Sequence, residues 1–136
     1  MPCPYFEPRQ AVSQPSQFNA RLPLIDEYDG VCRARAELLP VEAASRWRLC
    51  NHGNARGACS HFPAEDRRSC FRFEVSHRSA AGLDLLFIEE TFYAPLAWRY
   101  VAFRIDGEQL EPDPADPCER AQILAFCRSY LRHHPA

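Results

Sequence analysis

Polar and apolar residues alternate in one stretch of this chain and recur at helical spacing in another. Phe71, Phe73 and Val75 alternate with Arg72, Glu74 and Ser76, the two-residue period of a half-buried strand. Asp84 to Tyr93 concentrates strand-forming side chains (Leu85, Phe87, Ile88, Thr91, Phe92), and a further strand is expected from Leu96 to Ile105, after Pro95. Asp106-Gly107 is a two-residue hairpin signal leading into a short strand at Glu108 to Glu111. Asp116-Pro117-Cys118-Glu119 then offers an N-cap, a first-turn proline and an acid three residues on, all marks of a helix start. That helix is expected to reach about His133, with Ile123, Phe126, Cys127, Tyr130 and Leu131 facing inward. Arg132, His133 and His134 in its last turn suit the negative end of the helix dipole.

The N-terminal third reads differently. Pro2, Pro4, Pro8, Pro15, Pro23 and Pro40 forbid long helices and central strands, so this segment is expected to be irregular chain wrapped over a core. Tyr5, Phe6, Phe18, Leu22, Leu24, Ile25 and Tyr28 give it apolar anchors, and Asp29-Gly30 marks a turn. Pro40 to Cys50 reads as a helix, with Ala43, Trp47 and Cys50 on one face, followed by a loop to Pro63. The fold class is therefore α+β, in one domain spanning residues 1–136. An antiparallel meander of three to four strands and a C-terminal helix on one of its faces occupy residues 67–136. Residues 1–66 form a Cys/Pro-rich segment with one helix.

Composition narrows the class. The 136 residues are 46% hydrophobic and 25% charged with a net charge of −2, ordinary values for a globular chain that need no covalent staples. The total points to neither nucleic acid nor membrane. Residues 31–78 hold nine Arg against five acids, however, and residues 79–136 hold five Arg against nine acids. Such a basic half suits an anionic cluster, a phosphate or an acidic partner protein, although a solvated surface of drifting sign gives the same counts. All sixteen basic residues are Arg, which codon bias explains as well as chemistry does. Without an export-like apolar segment near Met1 or a long apolar run, a cytoplasmic protein is expected.

Seven cysteines then become the most informative feature. Their odd number and a reducing compartment argue against a disulfide framework and for metal binding or thiol chemistry. Cys50-Asn51-His52-Gly53-Asn54-Ala55-Arg56-Gly57-Ala58-Cys59 separates two thiols by a loop in which Gly53 and Gly57 permit tight curling and inward N–H groups. Metal-bound thiolate accepts such hydrogen bonds, and Arg56 is placed to offset cluster charge. Cys3 between two prolines and Cys32 after a turn complete a tetrathiolate set. Zinc sites usually show C-x₂₋₄-C pairs, which are lacking here, so a [4Fe–4S] cluster ranks first and zinc second. The repeated Cys50-x-His52 and Cys59-x-His61 is the local argument for zinc, with both imidazoles as ligands.

The plainer alternative is that these cysteines are buried as small hydrophobes, which is the preferred reading of Cys127 and Cys70. Nucleophilic catalysis is weaker still. Cys50 sits at a helix C-terminus, and the acids flanking Cys118 oppose a thiolate. Trp47, Trp98 and the phenylalanines are most simply core. Cys3-Pro4-Tyr5-Phe6-Glu7-Pro8, Tyr28-Asp29-Gly30-Val31-Cys32 and Cys50-Asn51-x-Gly53-x-Ala55-Arg56-Gly57-x-Cys59-x-x-Phe62-Pro63 together resemble a group of short uncharacterised bacterial proteins. The resemblance implies that Cys3, Cys32, Cys50 and Cys59 belong together, leaves out Cys70, Cys118 and Cys127, and brings no activity. The expectation is a metal-binding protein with an iron–sulfur cluster serving electron transfer, redox sensing or structure, and with a protein redox or docking partner. The other readings are a structural zinc protein, a metal-free module docking through its arginines, and a thiol enzyme.

Overall fold

Alternation along residues 71–76 becomes the first strand of a four-stranded antiparallel sheet. The computed structural model describes residues 2–13, 22–53 and 55–135, so Pro15, Phe18 and most of the polar spacer around them lie outside the described residues. Strands β4 (Cys70–Ser79), β5 (Gly82–Thr91), β6 (Ala94–Arg104) and β7 (Gln109–Glu111) are neighbours in chain order, the expected meander. Phe71, Phe73, Leu85, Phe87, Val101 and Phe103 are buried on its inner face, and helix α2 (Pro117–His133) packs on them through Phe126, stacked on Phe73 at 5.2 Å. Asp116 caps α2 by accepting the N–H groups of Cys118 and Glu119, as its sequence predicts.

The turns depart from expectation. The β5–β6 hairpin closes on the two residues Phe92 and Tyr93, both at positive φ (46° and 68°), within a stretch read as continuous strand. Pro95 is the second residue of the next strand instead of preceding it, and the register shifts there between Glu89 and Glu90. A bulge tolerates a residue that cannot donate. Asp106-Gly107 belongs to a short 3₁₀ turn, Asp106–Glu108, and the strand pairing around it closes at Arg104 and Gln109, so the loop is four residues long. Trp98 is 66% exposed and Phe92 69% exposed, so neither joins the core expected of them.

The proline-rich third is more regular than its composition suggests. Strands β1 (Phe6–Ala11), β2 (Tyr28–Cys32) and β3 (Leu39–Pro40) form a second, three-stranded antiparallel sheet in that order. Pro8 sits on edge strand β1 beside a register shift, where a missing N–H costs little. Gly30 in the middle strand has no room for a side chain: a Cβ there would lie 2.0 Å from the Glu7 carbonyl oxygen. The helix expected over residues 40–50 is a three-residue α segment, α1 (Ala43–Ser45), running into a π-helical turn over Arg46–Asn51. The widening has a local cause. Asn51 turns its amide back onto the Arg46 carbonyl at 3.0 Å, and the N–H of His52 reaches Trp47 at 3.1 Å.

Helix α2 lies between the two sheets and explains why it is buried on more than the one face expected. Gln122 donates to the carbonyls of Cys3 and Phe6, both at 2.7 Å, and the Tyr28 hydroxyl donates to Ala125 O at 3.0 Å. Residues from both sheets and α2 share one hydrophobic cluster, from Phe6, Leu24 and Tyr28 to Phe87, Ile123 and Phe126. Burial of that cluster is the main driving force for holding the cysteine-bearing half against the meander. Among the described residues no helix is long and apolar enough to cross a membrane.

Candidate metal centre

Each of the four cysteines that the sequence groups together is fixed by different means. Cys3 lies in the tight chain leading to β1; its N–H bonds to Cys50 O at 3.0 Å and its own carbonyl accepts from Phe6 and Gln122. Tyr5 clamps that chain to the far end of the cysteine loop, packing edge-on against Phe62 at 5.5 Å and donating its hydroxyl to Asp66. Partial burial pushes Asp66 upward, but hydrogen bonds from Arg68 and Tyr5 outweigh it and hold the carboxyl down at about 2.

Cys32 closes β2, opposite Phe6 of β1 and Leu39 of β3, and its sulfur accepts the Ala34 N–H at 3.4 Å. The pairing that carries it is locked beside it by Glu7, which accepts from Arg9 at 2.8 Å and from Arg33 at 2.5 Å. Cys50 stands in the π turn, a backbone irregularity that recurs at functional sites. Its neighbour Asn51 is fully buried, accepts from Tyr28 N at 2.8 Å and donates to Tyr28 O at 2.9 Å, mimicking a strand partner of β2. Cys59 ends a turn built on buried Ala55, to whose carbonyl the Cys59 N–H bonds at 2.7 Å. Gly53 precedes that turn and Gly57 lies within it, at φ 81° and 83°, values that side chains resist.

These anchors bring the four thiols within electrostatic reach of one another. Burial raises the Cys3 thiol most, and Cys50, Cys32 and Cys59 add to it. Burial pushes Cys50 up to about 12, reinforced by Cys32 and Cys59, and burial and Cys59 likewise raise Cys32. Cys32, Cys50 and Cys59 also line one cleft of about 410 Å³, whose wall includes Leu39, Val41 and Leu49 as well as Glu42, Arg48 and His61; Cys3 is buried and tied to it through the Cys50 carbonyl. Among the described residues, no three Cys, His, Asp or Glu side chains stand together as a site for a metal ion.

The other predicted site residues separate. His61 is exposed beside Cys59 in the same cleft, whereas His52 lies against the Trp47 ring at 5.2 Å and lines a different hollow. Arg56 directs its guanidinium to Arg67 O at 2.6 Å and stacks on Phe92 at 4.4 Å from the ring centre. Cys127 is fully buried in the core, and Cys70 is buried at the start of β4. Cys118 holds a surprise for the sequence reading. Burial raises it to about 12, with Asp116 and Glu7 adding, and Cys32 is close enough to contribute.

Two positioning residues escaped the sequence reading altogether. Asn51 and Gln122 are ordinary polar residues by composition, yet both are fully buried and hold the backbone on either side of the thiols. Only the adjacency of Asn51 to Cys50 hinted at such a role. No protein-family model, curated protein or solved structure matches the chain.

Proposed function

We propose that this protein binds a [4Fe–4S] cluster through Cys3, Cys32, Cys50 and Cys59, in an electron-transfer, redox-sensing or structural role. The observation that carries the reading is proximity: thiols from three well-separated stretches lie within electrostatic reach of one another, three of them along one cleft, although among the described residues they do not stand together as a finished ligand set. Chains that pack cysteine only as a small hydrophobe have no need of the backbone anchors that fix these four, and Cys127 shows what that plainer use looks like here. A cluster with four cysteine ligands supplies one-electron chemistry or a covalent-strength crosslink between segments.

The residues around the thiols fit that role in three respects. The Ala34 N–H on the Cys32 sulfur is the kind of donor that tunes a bound thiolate. Leu39, Val41 and Leu49 give the cleft an apolar section of wall. Ligands dispersed over residues 3 to 59 suit a cluster on a preformed scaffold better than a zinc site built from paired Cys-x₂₋₄-Cys. The partner we propose is a redox protein docking over that cleft, at whose edge Arg48 is exposed.

Serine substitution tests the assignment directly. Cys3→Ser, Cys32→Ser, Cys50→Ser and Cys59→Ser are each expected to lose most of the iron and sulfide found in anaerobically purified wild type. Cys127→Ser and Cys70→Ser are expected to retain both. Equal losses at all six positions would contradict the ligand set.

A further inference from the structure

A second hollow, of about 310 Å³, opens beside the cysteine loop between Arg56, Ser69, Cys70 and the aromatic pair Phe92-Tyr93, with His52 and Gly53 on its far wall. Its cation is unusually well prepared. One terminal nitrogen of Arg56 is taken by Arg67 O at 2.6 Å and Ser69 Oγ at 3.5 Å, and the guanidinium plane rests on Phe92. That leaves Nε and the other terminal nitrogen, the edge that grips an oxyanion with two parallel hydrogen bonds. Among the described residues no carboxylate pairs with Arg56 and none lines the hollow. Most arginines on the opposite side of the molecule are matched: Arg104 with Glu111, Arg120 with Asp113 and Arg128 with Glu108.

An independent observation concerns the aromatic wall. A two-residue hairpin loop with positive φ at both positions is the turn that Asn-Gly fills without strain. This chain places Phe92 and Tyr93 there, 69% and 85% exposed, so they gain little from burial in return for the strained backbone. Ser69 Oγ accepts the Phe92 N–H at 3.0 Å and so ties the loop tip to the arginine it supports. Strained, exposed side chains that stand over an oriented, acid-free arginine are more economically explained by a ligand than by folding.

We infer that the hollow binds a small oxyanion carrying a planar apolar group, with its anionic end on Arg56 and its flat part against Phe92 and Tyr93. Aryl phosphates and arenecarboxylates have this chemistry. The inference stands apart from the metal reading, since no cysteine ligand contributes to it.

Calorimetric titration of the purified 136-residue chain with phenyl phosphate and with inorganic phosphate tests it. The expected result is one phenyl phosphate per chain, bound at least tenfold more tightly than inorganic phosphate. Arg56→Gln should weaken phenyl phosphate at least tenfold, whereas Arg104→Gln, a charge control on the far side, should not. A chain carrying Phe92→Asn and Tyr93→Gly should melt at a higher temperature and lose the preference for phenyl phosphate. Wild type that binds neither probe, or Arg56→Gln that binds as wild type does, would overturn the inference. An unchanged preference in the more stable turn variant would overturn the aromatic half of it.

Discussion

The meander with α2 and the cysteine-bearing half share one core but are specified in different ways. The meander is held by repetition. Phe71, Phe73, Leu85, Phe87, Val101 and Phe103 are largely interchangeable contributors to a buried face, and strand pairing runs over ten residues at a time. The cysteine-bearing half has short strands and depends on single contacts: Gly30 against Glu7, Asn51 on Tyr28, and Gln122 on Cys3 and Phe6. A region built that way gains less from apolar burial and more from whatever its anchors hold in place, which is why its four thiols draw attention.

Substitutions can break this contrast, and the largest stability losses are expected at Phe87 and Asn51. Phe87 is fully buried against Phe71 and Phe73, so Phe87→Ala should destabilise the chain by about 3–5 kcal/mol in urea unfolding. The fraction that remains folded should still carry its full complement of metal. Asn51→Leu should cost a comparable amount, about 2–6 kcal/mol, because it strands two buried backbone groups of Tyr28 at roughly 1–3 kcal/mol each. Yet it should deplete metal severely, since it releases Cys50 from β2. If the two variants lose metal in proportion to stability, the halves are not distinct.

The smallest effect is a pH dependence that sharpens the same boundary. Asp66 is held at about 2 in the folded chain against 3.8 when unperturbed. Its contribution is therefore complete above about pH 4 and is lost as pH falls through about 2, since the unfolded chain binds the proton first. Urea midpoints of wild type and Asp66→Asn should be separated near neutral pH and converge over that window. A constant separation would remove the Tyr5–Asp66–Arg68 clamp from the account.

The same contrast explains how much could be read from the sequence. Strand β4 and helix α2 announce themselves through periodicity and through Asp116 and Pro117, and both appear as read. The β5–β6 turn was hidden because Phe92 and Tyr93 carry none of the residues that positive φ usually selects. The three-stranded sheet was hidden by its prolines, since Pro8 is tolerated only because β1 is an edge. Grouping Cys3, Cys32, Cys50 and Cys59 was possible from their surroundings of proline, glycine and turns. Nothing in the spacing indicated Gln122 or the proximity of Cys118 to Cys32, which depend on how α2 crosses the small sheet, or Asn51, whose role depends on the π turn meeting β2.

The most direct measurement is a visible absorption spectrum of anaerobically purified protein, with iron, sulfide and zinc determined on the same sample. The account predicts a brown protein with a broad visible band and iron and sulfide in equal amounts. Colourless, folded protein without iron, whether or not it carries zinc, would contradict the central claim.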